Sequence, residues 1–362
     1  MCTDRAMRAR WASRAGLVWL TSSSVARGAK WRNWGRNQQC DPVAIESPSS
    51  VLELREIIGS AARAGQRVRV AATGHSFSDI VCTDSRLLRL EALDRVLEVD
   101  PERLTATVEA GIHLYTLNDE LARRGLALSN LGDIDRQTLA GALSTGTHGT
   151  STRYGPIAAS VIGLELVTAD GEVVRCSATE EPELFACARV GLGALGVITK
   201  VTLQCEPAFR LHTLEEPHGF DEALAAWEET IAANEHVDSY WFPHSDVMTV
   251  KASNRTDRPI RVKSRRKQWR DDVLIGNYAF GALAAYGRRR PSQIPKVSRT
   301  VANGMGRVEK VDVSYRVFCT PRLIRFVEME YALPRDRMEA TLRRIRELIE
   351  SERLQVDFPI EV

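Results

Sequence analysis

The sequence predicts an α+β protein built from two domains, and three observations carry that reading. Short runs alternating apolar and polar residues stand beside stripes with helical spacing, in no regular strand–helix–strand rhythm. The texture changes after Pro207, where ordered-looking strands give way to aromatic and then strongly basic sequence. Finally, 362 residues, 44% of them hydrophobic and 27% charged, suffice for two buried cores in an ordinary soluble composition. The domains are placed at 31–207 and 208–362, behind an extension over 1–30.

The elements follow in order. Ser50-Val51-Leu52-Glu53 is a capping box, and Leu54, Ile57, Ile58 and Ala61 continue a helical stripe that Gly65 closes. Arg67-Val68-Arg69-Val70-Ala71 alternates as a half-buried strand. Residues 104–110 alternate as another, and Tyr115 to Arg124 reads as a helix closed by Gly125. The runs 162–168 and 172–176 flank Asp170-Gly171, which predicts a hairpin with a two-residue turn. Pro182 opens a helix through Arg189, and Gly196 to Cys205 is a strand. In the second domain, residues 208–253 carry helix and strand signals around the run Tyr240-Trp241-Phe242-Pro243-His244. Alternation resumes at Val311, Val313, Tyr315 and Val317. A helix after Pro334 then places Met338, Leu342, Ile345 and Ile349 on one side. This domain is read as a cover over the first.

A net charge of +2 excludes a global field of the kind that binds nucleic acid. The charge is uneven, with fifteen Lys and Arg against four Asp and Glu in residues 255–310. Inside that segment the apolar stretch Val273 to Tyr286 lies between Lys263–Arg270 and Arg288–Arg290. It falls short of the roughly 20 residues that span a bilayer. It reads as a buried helix, with a segment lying on an anionic membrane surface (263–290) as the alternative. Seven scattered cysteines without a C-x-x-C pair point to a reducing, cytoplasmic setting rather than a zinc site or disulfide framework. In the extension, Arg5, Arg8, Arg10 and Arg14 precede Leu17-Val18-Trp19-Leu20, too short an apolar core for a convincing signal peptide. A disordered tail or a mis-set start is the expectation, with export as the alternative.

Two loops carry the chemistry. Ala72-Thr73-Gly74-His75-Ser76-Phe77-Ser78 follows a strand, and its glycine lets the main chain turn and approach a ligand with N–H groups facing anionic oxygens. Ser144-Thr145-Gly146-Thr147-His148-Gly149-Thr150 has the same character. Two such loops in one domain point to a long, phosphate-bearing ligand held at several places, with His75 and His148 as ligand-contacting histidines. The bland reading of each is a structural histidine, which is preferred for His113, His212, His218 and His236. Gly191-Leu-Gly-Ala-Leu-Gly196 matches the dinucleotide fingerprint, but a helix precedes it and a strand follows. The fingerprint needs the reverse order, so a glycine-rich turn packed on a ligand is the better reading.

Together these motifs resemble the FAD-dependent aldonolactone oxidoreductases of the vanillyl-alcohol-oxidase superfamily. The resemblance runs from about Trp31 to the last residue. It rests on Gly74-His75-Ser76, Val108-Glu-Ala-Gly111, Leu126-Ala-Leu-Ser-Asn-Leu-Gly132, Gly146-Thr-His-Gly149, Leu192-Gly-Ala-Leu-Gly-Val-Ile198, Trp241-Phe-Pro243 and Phe358-Pro-Ile-Glu-Val362. It implies a two-domain PCMH-type FAD-binding fold with an α+β cap over the flavin ring. It implies that FAD is carried covalently by His75, and that residues 144–150, Gly193, Gly196 and Ile198 cradle it. At Gly132, the resemblance implies an open path for dioxygen.

The implied reaction is oxidation of the C2 hydroxyl of a sugar lactone, D-arabinono- or L-gulono-1,4-lactone, with hydride passing to flavin N5. The acceptor is dioxygen or a cytochrome or quinone partner. The family's Glu-Val-Arg motif supplies an acid/base, and Glu361 matches its glutamate. The chain stops at Val362, before the arginine and before the family's later His-Trp-x-Lys motif, which is expected of a C-terminally truncated member. Two other readings stay open: a flavin-binding remnant without turnover, and a related enzyme acting on open-chain alditols.

Overall fold

The protein is described from a computed structural model covering residues 24–28 and 30–362. The expectations for residues 1–23 lie outside the described residues. The end of the expected disordered extension is ordered, because Ser24–Arg27 pairs antiparallel with Ala44–Ser47.

Three sheets organise the chain. In the first, Arg86–Leu88 lies between Ala44–Ser47 and Val68–Val70 and runs parallel to both. Parallel neighbours need a crossover, and the helix Val51–Arg63 supplies one. Ser50 Oγ accepts from Glu53 N–H at 3.2 Å, as a cap should. The other half of the expected capping box is displaced: Glu53 Oε2 accepts from Ser49 N–H at 2.8 Å, one residue early. Leu54, Ile58 and Ala61 are buried, so the helical stripe faces the core as its spacing predicts.

The second sheet is antiparallel, in the order Val173–Ser177, Val161–Val167, Val197–Gln204, Thr105–Glu109, Val96–Asp100. It packs on the helices Leu114–Arg123 and Leu139–Ser144 through Val108, Leu117, Leu121, Leu143, Leu166 and Val201. Its hairpin turn differs from expectation. Thr168 N–H donates to Glu172 C=O at 3.0 Å and Gly171 N–H to Thr168 C=O at 3.0 Å, which encloses three residues rather than two. Gly171, at φ +83°, takes the left-handed position that such a loop requires.

The third sheet is antiparallel too, in the order Val308–Val313, Arg210–Gly219, Val247–Arg255, His236–Trp241, Ile360–Glu361. Its two faces differ sharply. Trp241, Met248, Val237, Val250 and Ile360 pack with Phe220, Trp227, Leu342 and Ile349, so the helices Phe220–Ala225, Trp227–Ala233 and Met338–Ser351 cover an apolar face. The opposite face carries Glu215, Asp238, Tyr240, Lys251, Lys310 and Glu361, placed there by the two-residue period of the strands.

Two expectations need correction. The alternation from Val311 to Val317 breaks halfway: the strand ends at Val313 and Ser314–Phe318 is helical. Val317 and Phe318 are still buried, because they dock into the core under the second sheet. The stretch Val273 to Tyr286 is helical but largely not buried. Leu274, Ile275, Tyr278 and Tyr286 are exposed, and only Asn277 and Ala284 are buried within it. None of its residues belongs to a hydrophobic core cluster, so most of its apolar side chains stay at the surface. Among the described residues no helix is long and apolar enough to cross a membrane.

Candidate functional site

A cavity of ≈ 550 Å³ opens between the first and second sheets. One wall is the strand Val68–Val70 with Ala71 to Ser76, and the facing wall is formed by residues 137–145 and 192–198. Of the residues singled out from the sequence, Ala72, Thr73, Gly74, His75, Ser76, Ser144, Thr145, Gly193, Gly196 and Ile198 line it together. The helix Pro182–Ala188 precedes Gly191 and the strand Val197–Gln204 follows Gly196, so the glycine run is a turn on the cavity wall and not a Rossmann fingerprint.

His75 stands at one end. Burial, partly countered by the Asp133 carboxylate and reinforced by Arg136, pushes its imidazole down to about 4, so the ring is neutral at pH 7. Trp34 stacks on it at 5.2 Å and also contacts Phe77 and Phe326. The rest of the loop is tied to the Trp31–Arg32/Gln39–Cys40 hairpin. Asn33 Nδ2 donates to Ser76 C=O at 3.0 Å, and Asn37 Nδ2 and Gln38 Nε2 donate to Phe77 C=O at 2.8 and 3.1 Å. Phe77 thus packs outside the cavity, and Ser78 is exposed.

The second loop divides in two. Ser144 and Thr145 reach the cavity, whereas 146–150 turn toward the polar face of the third sheet. Thr147 C=O accepts from Ile157 N–H at 3.0 Å, and Gly146 N–H donates to Leu143 C=O at 3.0 Å. His148 Nε2 pairs with Glu330 Oε1 at 2.7 Å. Burial opposes charge on His148, but the bond to Gly149 C=O and the carboxylates of Glu330 and Glu361 leave its imidazole raised. Gly149 has no room for a side chain, since a Cβ there would lie 2.1 Å from Leu131 C=O oxygen and 2.3 Å from Asn130 Oδ1. Thr150 C=O accepts from His236 Nδ1 at 2.7 Å. Gly132 is buried against Thr147 and His148, and its carbonyl accepts from Cys319 Sγ at 3.4 Å.

Glu361 lies opposite Tyr240 in the third sheet. Burial, with the Asp133 and Asp238 carboxylates, pushes it up to about 7, while Arg322 and a hydrogen bond from Tyr240 act the other way. Around it, Lys251 Nζ pairs with Asp238 Oδ2 at 2.9 Å. Burial and then Lys251 hold Lys310 below its ordinary value, and burial raises Glu215. Such a face can bind a polar, hydroxyl-rich molecule and exchange a proton with it near neutrality. Trp34, Asp133, Asp238, Lys251 and Arg322 went unnoticed in the sequence, and Tyr240 was seen only as part of an aromatic run. Asp238, Tyr240 and Lys251 meet only through the register of the third sheet, and Trp34, Asp133 and Arg322 reach the site from loops that no spacing marks.

A model of an FAD binding domain matches residues 42–177, and one described as D-arabinono-1,4-lactone oxidase matches 201–362. L-gulono-1,4-lactone dehydrogenase of Mycobacterium tuberculosis is 40% identical over 336 residues, covering 92% of this chain and 77% of that protein. The chain belongs to the FAD-dependent aldonolactone oxidoreductases. L-gulonolactone oxidase of Scyliorhinus torazame is 36% identical, over 92% of this chain and 76% of its own length. The crystal structure of cholesterol oxidase from B. sterolicum superposes with a TM-score of 0.71 over 95% of this chain and 73% of that one. At 15% identity it speaks for the fold alone, the PCMH-type FAD-binding fold. The residues present fit FAD: glycine-lined backbone borders the cavity, and a neutral imidazole stands at its end.

Proposed function

We propose that this flavoprotein oxidises the C2 hydroxyl of a sugar 1,4-lactone, L-gulono- or D-arabinono-1,4-lactone, on the polar face of the third sheet. The observation that carries the reading is Glu361, paired with Tyr240 across the third sheet, whose carboxyl desolvation and the Asp133 and Asp238 carboxylates push up to about 7 on the face toward His148. When bound, FAD would supply the hydride acceptor, flavin N5, with dioxygen or a cytochrome or quinone as the final acceptor. Glu361 takes the hydroxyl proton. Lys251 offsets the negative charge that develops on the substrate oxygen. Residues 72–76, 144–145, Gly193, Gly196 and Ile198 would hold the cofactor, with Gly132 and 146–150 as further cofactor contacts. Residues 31–207 and 208–362 are the flavin-binding and cap domains in this reading.

His75 carries the flavin covalently. A bond to the flavin would need a neutral imidazole with a free nitrogen lone pair, and burial keeps His75 neutral at pH 7. Acid-precipitated protein should stay yellow, and His75→Ala should release its colour to the supernatant. Release from the wild type as well would disprove the bond. The activity is tested by mixing the loaded protein anaerobically with each lactone. Bleaching of the flavin absorption is expected, and a flavin that stays oxidised with every lactone points instead to a flavin-binding form without turnover.

The exposed stripe Leu274, Ile275, Tyr278 and Tyr286 favours a second role for residues 263–290. Arg266, Lys267 and Arg270 flank it on one side and Arg288, Arg289 and Arg290 on the other. We infer peripheral contact with an anionic membrane through this segment. Flotation with vesicles containing phosphatidylserine, and loss of flotation in Ile275→Asp, is the expected result. Equal flotation with neutral vesicles would argue against it.

A further inference from the structure

Arg322 sits in a segment without regular structure, and no motif marks it, yet it joins the two sides of the site. Its Nε and Nη2 donate to Asp133 Oδ2 at 3.1 and 2.7 Å, in the loop just after Gly132. Nη2 also donates to the Tyr240 hydroxyl oxygen at 3.3 Å. Tyr240 is the cross-strand neighbour of Glu361, and its phenol acts on the Glu361 carboxyl in the sense that favours the carboxylate. A phenol carries one proton. With a guanidinium N–H on its oxygen, that proton is left for Glu361.

We propose that Arg322, clamped by Asp133, is a positioning residue for Glu361, holding the Tyr240 hydroxyl so that it donates to the Glu361 carboxylate. The proposal rests on the reading that Glu361 accepts the substrate proton. It adds a link between the flavin side of the site and the base. Asp133 orients Arg322, Arg322 orients Tyr240, and Tyr240 fixes one oxygen of Glu361, leaving the other for substrate. Without Arg322 the chain breaks twice: Tyr240 is free to turn, and the Asp133 charge faces Glu361 uncompensated.

The charged and titratable groups that act on Glu361 come from every element around it. Asp238 and Tyr240 lie on the neighbouring strand, and Lys251 on the next one. Asp133 and Arg322 come from the two loops, and His148 from the loop 146–150. Arg322 is the cation in closest relation to Tyr240, and its removal disfavours ionised Glu361. About a third of the side chains of both Arg322 and Asp133 reaches solvent, at 34% and 39%. Solvent screening therefore puts the effect at the low end of the range for an opposite charge, about one pH unit.

The test is a pH titration of the visible absorption of the FAD-loaded, oxidised protein without substrate. The transition that Glu361→Gln abolishes belongs to Glu361. Arg322→Met should move it up by about one pH unit, Tyr240→Phe should also move it up, and Arg322→Lys should return it most of the way to the wild type. A merely structural Arg322 would lower flavin loading or melting temperature and leave the midpoint in place, and an unmoved midpoint overturns the proposal. So does the absence of any Glu361-dependent transition. If no lactone bleaches the flavin, the activity reading fails, and this titration decides the role of Arg322 on its own.

Discussion

Acid should destabilise this protein through a histidine outside the reacting groups. His113 is 7% exposed, stands at the N-cap of the helix Leu114–Arg123, and has its ring against Tyr115 at 5.3 Å. Burial, followed by the charges of Arg136 and Arg89 and by His75, pushes it down to about 4. The unfolded chain binds a proton at about 6.5 and the native protein only near 4, so the unfolded state binds more protons between those values. Stability is therefore complete above about pH 6.5 and falls as the pH drops toward 4. At pH 5 the unfolded histidine is almost fully protonated and the native one about a tenth, which costs about 2 kcal/mol relative to neutral pH. Urea unfolding of the wild type and of His113→Gln, at about pH 7.5 and pH 5, measures it. The variant should lose about 2 kcal/mol less than the wild type between the two conditions. Equal losses would refute the reasoning, whatever the variant's stability at neutral pH.

Other perturbations test the packing. Gly149→Ala would drive a methyl into Leu131 C=O and Asn130 at 2.1 and 2.3 Å; a loss above about 3 kcal/mol in urea unfolding is expected, together with reduced FAD retention on gel filtration. Trp34→Ala removes ring contacts to His75, Phe77 and Phe326, at about 1 kcal/mol each, and should lower the fraction of flavin that survives acid precipitation. Arg255 forks onto Glu206 at 2.6 and 2.8 Å, reaches Glu235 at 3.2 Å and lies over Phe209 at 4.1 Å. Arg255→Ala should cost about 2 kcal/mol in thermal unfolding, and Arg255→Lys should recover less than half, because an ammonium cannot reproduce the fork.

Much of the fold could be read in advance where local chemistry is strong. The stripe of Leu54, Ile58 and Ala61 and the Pro182 start are local signals, and both elements formed where expected. The run from Val311 to Val317 misled because Val317 and Phe318 are buried by docking against a distant core, a demand that a strand period does not encode. Residues 273–286 misled for the opposite reason, since apolar composition alone does not tell a core from an exposed face. At the site, glycine and histidine loops stood out because close backbone approach restricts residue choice. Tyr240, Asp238, Lys251 and Arg322 did not, because sheet register and a loop crossing bring them together from three separate regions.

The two-faced third sheet has a consequence for how this chain can change. Each strand alternates between side chains that must stay greasy and side chains that must stay charged, so the two sets share one reading frame. A single residue inserted into His236–Trp241 or Val247–Arg255 would exchange them downstream. Asp238, Tyr240 or Lys251 would then face the helices, and tryptophan or valine would take their place on the polar side. Point substitutions on either face are graded in effect, whereas a one-residue shift is all or nothing. Variation in length among relatives should therefore collect in the turns of this sheet, and its strands should keep their length even where their residues differ.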